Sequence, residues 1–249
     1  MLSDPAYIAC AVIAVVVIGL AKGGLSGLGA LGTPILALAI APVEAAAILL
    51  PIIIVQDAVS VWVFRHCWNR RIVAITIPFA AIGIALGWLF AAQLPAVAIK
   101  GILGAIALLF GLWRLWLERG SRTTAPWNMP DWIGALLCIA TGFTSQIAHA
   151  GGPPFQMWVG PKKLPHLEFV GTTAIAFAAM NWMKVPAYWA LGEFTSDNLM
   201  ASAMLMPVAV VSTFAGVWLV RRMHGKAFYL IVYALMVLLG LKLLYDALT

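Results

Sequence analysis

Charge is what this chain has least of. Asp, Glu, Lys and Arg make up 10% of its 249 residues and hydrophobic types 63%. A mean hydropathy of +1.00 leaves too little polar surface to clothe a soluble globule, so an integral membrane protein is expected. Cysteine is scarce too. Cys10, Cys67 and Cys138 lie far apart without paired spacing, which argues against a disulfide framework or a metal site and leaves three small apolar side chains. The N-terminal stretch lacks a basic n-region and an A-x-A cleavage pattern, so the first apolar segment is expected to stay in the mature protein. A nucleophile elbow, a metal-ligand cluster and a nucleotide loop are missing as well; the glycine run at 23–32 has no Lys-Ser/Thr ending and no preceding strand. No enzyme activity, metal or cofactor is expected. The net charge of +6 sits in short loops, where it reads as topology rather than nucleic-acid binding.

What is present is long apolar runs. Crossing a hydrocarbon core of roughly 30 Å takes about 20 helical residues. Six runs meet that length: Val43 to Phe64, Ile72 to Ala92, Val97 to Leu117, Phe169 to Leu191, Leu199 to Val220 and Ala227 to Leu248. Two further apolar regions, Tyr7 to Ala41 and Trp132 to Pro161, are interrupted by glycine and proline.

The charges decide how the interrupted regions run. Eleven of the 15 Lys and Arg fall in four clusters: Arg65, Arg70 and Arg71; Arg114, Arg119 and Arg122; Lys162 and Lys163; Arg221, Arg222 and Lys226. If both interrupted regions crossed fully, the last cluster would lie opposite the first two. If both are re-entrant hairpins, all four clusters become cytoplasmic, while Asp4, Glu44, Glu193, Asp197 and Asp246 collect outside with both termini. The positive-inside preference selects the hairpins. Each half then has one hairpin and three crossings, and an odd number of crossings inverts the second half. The expected fold is an all-α integral membrane protein of two inverted repeats, residues 1–125 with hairpin 7–41 and residues 126–249 with hairpin 132–161. Residue matches agree: an offset of 129 takes Pro78, Gly87 and Gly111 to Pro207, Gly216 and Gly240, and an offset of 124 takes Glu44 and Asp57 to Glu168 and Asn181. Inverted repeats are the architecture of secondary transporters, with the binding site near the bilayer midplane at the repeat interface.

The interruptions themselves suggest an anion. In the first hairpin Thr33 suits an N-cap and Pro34 the first helical position; in the second, Gly151 and Gly152 precede Pro153, Pro154 and a half-helix from Phe155 to Val159. A helix N-terminus presents unpaired N–H groups and about half a positive charge, and glycines let an anion approach. Non-helical backbone at this depth is tolerated only when buried in protein or lining a wet cavity. Gly27, Gly29, Gly32, Thr33, Gly151 and Gly152 are therefore expected around the anion. The plainer alternative is a Gly/Pro kink that only packs helices, as Gly83 and Gly87 read as a helix contact.

Lys22, Gln56, Asp57, Gln146, His149, Asn181 and Lys184 fall at membrane depth, where polar groups point to function by default. Gln146 and His149 lie just before the second break, placed to donate to an anion's oxygens. Asn181 and Lys184 share one helical face. Lys184 either supplies a charge to the site or snorkels outward. Asp57, the main coupling or gating candidate beside Gln56 and Lys22, either carries a coupling proton or forms a salt bridge with a buried lysine. Histidine's ordinary titration range allows His149 a proton-coupling role; the bland reading is a satisfied hydrogen-bonding residue.

At these residues the sequence resembles the TauE/SafE family. The blocks that carry the resemblance are Gly27-Leu28-Gly29-Ala30-Leu31-Gly32-Thr33-Pro34, Leu50-Pro51 with Gln56-Asp57, Ala148-His149-Ala150-Gly151-Gly152-Pro153-Pro154, Val170-Gly171-Thr172-Thr173 and Asn181-Trp182-Met183-Lys184-Val185-Pro186. The resemblance implies export or exchange of sulfite or a small organosulfonate such as sulfoacetate across a bacterial inner membrane. Its expected partners are a small anionic substrate, the lipid bilayer and a coupling proton or sodium ion. Alternating access is the expected mechanism; an anion channel, or a permease for another small oxyanion or carboxylate, is the alternative.

Overall fold

The computed structural model describes residues 4–24, 28–91, 93, 95–119, 129–220 and 226–248. Among these there are ten α-helices, two short 3₁₀ turns and no strand. Helix α1 is Pro5–Lys22; a 3₁₀ turn at Leu28–Leu31 runs into α2, Gly32–Leu36; then come α3, Pro42–Phe64, α4, Arg70–Ala91, and α5, Ala96–Arg119. The second half repeats the series with α6, Asp131–Ala148, α7, Gly152–Val159, a 3₁₀ turn at Gly160–Lys162, α8, His166–Ala190, α9, Ser196–Val220, and α10, Lys226–Leu248. By length and composition α1, α3 and the stretches Arg70–Phe90, Val97–Leu117 and Ser196–Leu219 are able to cross a membrane. Helices α8 and α10, with 25 and 23 residues, match the lengths of their counterparts α3 and α5, with 23 and 24. The protein is an all-α membrane protein, as its composition requires.

Local sequence sets the breaks. Asp4 caps α1 by accepting from the Ala6 N–H, and Pro5 takes the first helical position. Helix α1 stops at Gly23–Gly24, where Gly24 has φ of 125°, a conformation only glycine adopts without strain. Helix α6 stops at His149, whose left-handed φ of 51° ends the helix while its N–H bonds the Ser145 carbonyl.

Both interrupted regions are hairpins. Tyr7 near the start of α1 packs with Ala45 and Ile48 near the start of α3, whereas the Ser60 hydroxyl, far along α3, donates to the Lys22 carbonyl at the tip of α1. Helices α1 and α3 are therefore parallel, and residues 23–41 bring the chain back to the side it came from. The second half does the same: Asp131 at the start of α6 pairs with Arg71, Glu168 at the start of α8 accepts from Asn69, and the far ends meet where Lys184 reaches Ser145. With 18 residues, or about 27 Å, α1 nearly spans a bilayer, but its connectivity makes it one arm of a hairpin.

The halves are inverted copies. The start of α8 lies at the end of α3, where Gly171 abuts the Cys67 carbonyl, and the end of α8 lies at the start of α3, where Tyr188 packs with Ala46 and Ala47. The two run antiparallel. The packing of α4 on α6 is repeated by α9 on α1, that of α3 on α9 by α8 on α4, and α5 pairs with its own counterpart α10. Glycines follow suit. Gly111 meets Tyr233 and Val237, while Gly240 meets Gly104 and Leu108, the same contact under the offset of 129. Gly83 and Gly87 press against Ile139 and Gln146 of α6, a helix contact as expected.

This connectivity puts Arg65, Arg70, Arg71, Arg114, Lys162 and Lys163 at one end of the bundle and Glu44, Glu193 and Asp197 at the other. Arg122, Arg221 and Arg222, together with the expected division between residues 125 and 126, lie outside the described residues.

Candidate functional site

The two breaks face one another across the crossing of α3 and α8. Between them lies a small pocket, partly open to the exterior. The first hairpin contributes Ile18, Lys22 and Gly29; the second contributes Ser145, His149, Gly152 and Gln156; α3 adds Ile53, and α8 adds Thr173, Phe177 and Asn181. Asp57 and Asn181, equivalent positions of the two repeats, are hydrogen-bonded at 2.5 Å, so the pocket sits on the pseudo-twofold axis.

Its polar wall is held by α3. Asp57 is buried and takes the Lys22 ammonium on one oxygen at 2.5 Å and the Asn181 amide on the other at 2.5 Å. Lys22 keeps part of its side chain exposed and lies 5.4 Å from the centre of the Phe177 ring, close enough for a cation–π contact. Gln56, one residue away, donates to the Val15 carbonyl at 3.1 Å, fastening α3 to α1; it does not line the pocket.

Behind the second break is a tighter arrangement. Lys184 is fully buried and donates to the Ser145 carbonyl and hydroxyl, each at 3.2 Å, and to His149 Nδ1 at 2.6 Å. It does not snorkel. His149 Nε2 lies 2.8 Å from the Ala46 carbonyl; a carbonyl only accepts, so Nε2 carries the hydrogen and Nδ1 the lone pair that Lys184 meets. The ring stacks on Tyr188, with centroids 6.1 Å apart and planes at 12°.

Of the expected site residues, Lys22, Gly29, His149, Gly152 and Asn181 line the pocket. Asp57 takes the salt bridge with a buried lysine that was one of its two expected roles, and several others are placed differently from expectation. Thr33 does not cap α2: that helix starts at Gly32, continuous with the preceding 3₁₀ turn, and the buried Thr33 hydroxyl has no partner among the described residues. Gly32 packs on Ile18, and Gly151 packs on Thr141 and Ser145, so these glycines allow close helix approach rather than anion contact. Gln146 is buried against Gly87, off the pocket. His149 lines the pocket but has both ring nitrogens engaged by the protein, so it is not a free donor. Gly27 lies outside the described residues. The helix end at α7 is also poorer in donors than a break with two helix-starting prolines suggested, because Pro153 and Pro154 carry no N–H.

Two pocket residues were missed by reading the sequence. Gln156 is 8% exposed and has no hydrogen-bond partner among the described residues, so its amide is free to serve a ligand; Thr173 lies one turn beyond Phe169, to whose carbonyl it donates. The signal was there. Gln156 is a polar residue in the half-helix after the break, open to the argument applied to Gln146 before it.

Polar groups converge on a pocket between two hairpins of an inverted-repeat membrane protein, and that arrangement is of the transporter class. The particular family follows from comparison with known families: the family Sulfite exporter TauE/SafE matches residues 11–243, so the chain belongs to it. No curated protein and no solved structure matches the chain.

Proposed function

We propose that this protein carries sulfite or an organosulfonate such as sulfoacetate across the bacterial inner membrane by alternating access, with the pocket between the hairpin tips as its binding site. The observation that carries this reading is the pocket's position: both breaks and the crossing of α3 and α8 meet there on the pseudo-twofold axis. Lys22, the second hydrogen of the Asn181 amide and the Gln156 amide supply donors for anionic oxygens, and Ile18, Ile53 and Phe177 supply an apolar wall for a carbon body. Rocking one repeat against the other exposes such a site to each side in turn. The basic end of the bundle is assigned to the cytoplasm by the positive-inside preference, with both termini outside.

The test is thermal stabilisation of the detergent-purified protein by matched sodium salts of sulfite, sulfate, thiosulfate, sulfoacetate, methanesulfonate, acetate and chloride. A ligand at 100 times its Kd adds about 2.7 kcal/mol of stability. Stabilisation by a sulfur anion, erased in Gln156→Leu without loss of the variant's own stability, is expected. Equal shifts from every anion, or none from any, would sink the proposal. Flux that fails to saturate in proteoliposomes would favour the channel instead.

A further inference from the structure

The two lysines at the pocket are built differently. Lys22 is matched by Asp57. Lys184 has only neutral acceptors, the carbonyl and hydroxyl of Ser145 and the Nδ1 lone pair of His149, and no water reaches it. Burying an ammonium among neutral groups is costly unless negative charge lies nearby. The Asp57 carboxylate is near enough to be felt, but the Lys22 ammonium paired with it acts on Lys184 in the opposite direction, so the pair brings no net negative charge.

The pocket is where the missing charge would sit. Ser145 and His149 both line it and both hold Lys184, while Lys184 itself does not touch it. An anion bound there lies one side chain from the ammonium, favouring the protonated amine, and the protonated amine favours the anion by the same factor. We propose that Lys184, held between Ser145 and His149, is the site at which a proton binds together with the anion and travels with it, making the protein an anion–proton symporter. The proposal rests on the pocket being the anion site. A proton and a monovalent sulfonate carried together move no net charge.

The neighbouring charged groups leave Lys184 this role. Helix α1 brings Lys22, and α3 brings the occupied Asp57. Glu44 at the start of α3 lies 13 residues, or about 20 Å, along that helix from Asp57, close to Glu193 beyond the end of α8. Helix α6 brings His149, with Asp131 at its far end. The titratable groups of α4, Arg70 and Arg71, are exposed at the end away from Lys184. On α8 itself Glu168 is about 24 Å away along the axis, and the Tyr188 hydroxyl is occupied by the Gln146 carbonyl.

The test uses the full-length protein in detergent with methanesulfonate and sulfoacetate, both fully ionised above about pH 6, so that the ligand brings no protons of its own. Affinity is measured from about pH 6 to pH 9, and proton uptake is followed with an indicator dye in weak buffer. The expected result is uptake of up to one proton per anion and, toward alkaline pH, an affinity that weakens about tenfold per pH unit. Lys184→Arg, whose guanidinium does not deprotonate, is expected to lose both the slope and the uptake while still binding. Ser145→Ala, which removes an acceptor of the ammonium, is expected to move the onset of the slope to lower pH even if the arginine variant fails to fold. Binding with pH-independent affinity and no proton uptake would overturn the proposal and leave the transporter reading standing. A slope that survives in Lys184→Arg would place the proton elsewhere. Failure of the parent protein to bind any sulfonate or sulfite would overturn both readings together.

Discussion

The two repeats place the same backbone around the pocket and furnish it with opposite chemistry. Asp57 and Asn181 are equivalent and touch, yet one is a carboxylate and the other a neutral amide. Three residues on, Ser60 and Lys184 are equivalent as well. The Ser60 hydroxyl fastens the tip of α1 through the Lys22 carbonyl at 2.8 Å, while Lys184 fastens the tip of α6 through Ser145. Duplication therefore supplied two hairpins and a shared axis, and divergence supplied the polarity. A single anion on a twofold axis has no use for identical halves; a site with its compensated charge on one side and its uncompensated amine on the other can bind it and respond to it.

The comparison breaks most severely at Asp57. Removing one partner of a buried pair leaves the other uncompensated, at a cost of about 3–5 kcal/mol, and the partial exposure of Lys22 places this pair toward the lower figure. Asp57→Asn, which makes the two repeats alike at this position, is expected to lower the thermal midpoint sharply, and the double variant Lys22→Met with Asp57→Asn to recover most of the loss. A single variant as stable as the parent would show that the charge of the first repeat is not structural.

The glycines of the two breaks sharpen the contrast at a smaller scale. A Cβ on Gly151 would lie 2.7 Å from the Thr141 carbonyl, whereas one on Gly29 would lie 3.4 Å from Ala21 Cβ at the pocket wall. Overpacking of this kind costs about 1–3 kcal/mol. Gly151→Ala should lose stability by that amount, and Gly29→Ala should keep its stability and lose anion affinity. Unfolding curves paired with ligand-induced shifts distinguish the two; equal stability losses would refute the division of labour between the breaks.

Much of this architecture was legible in the chain because bilayer physics leaves few alternatives. A run of twenty apolar residues has to be a helix, Gly-Gly and Pro-Pro have to interrupt it, and the described residues of the basic clusters, from Arg65 to Lys163, collect at one end. The pairing of Asp57 with a lysine was legible for the same reason, since an isolated carboxylate at that depth is too costly. The roles of individual polar residues were not. Helix α3 is apolar almost all round, so no periodicity reveals that Gln56 turns to α1 while Asp57 turns toward α8. His149 looked like a free donor because its two partners, the Ala46 carbonyl that accepts from it at 103 positions' remove and the Lys184 ammonium that donates to it at 35, come from other helices. Gln146 and Gln156 flank one break symmetrically in sequence, and only the rotation of α6 against α4 decides which of them sees the pocket.

A weaker tie of the second hairpin is the Tyr188 hydroxyl, which donates to the Gln146 carbonyl at 2.8 Å; its counterpart in the first repeat under the offset of 124 is Phe64, which has no hydroxyl. Tyr188→Phe should cost about 1 kcal/mol, the usual net worth of a hydrogen bond, with the ring stack on His149 retained. An unchanged thermal midpoint would mean that His149 and Lys184 position the tip without it.

The smallest effect is expected where the two equivalent glutamates differ. Glu168 accepts from Asn69 at 2.9 Å, whereas its counterpart Glu44 lies near Glu193 in the turn after α8. Partial burial, and then the Glu44 charge, raise Glu193 above its ordinary carboxylate value. The folded chain thus holds this proton more tightly than the unfolded chain. The resulting stabilisation is fully present below the unfolded carboxylate value of about 4 and is lost as pH rises through the folded one. Glu193→Gln keeps a neutral side chain at every pH, so at neutral pH its thermal midpoint should lie slightly above that of the parent, and the gap should close as both are acidified. A midpoint below the parent's at neutral pH would mean that the Glu193 charge has a favourable partner at that end of the bundle, and that the two ends differ less than their glutamates suggest.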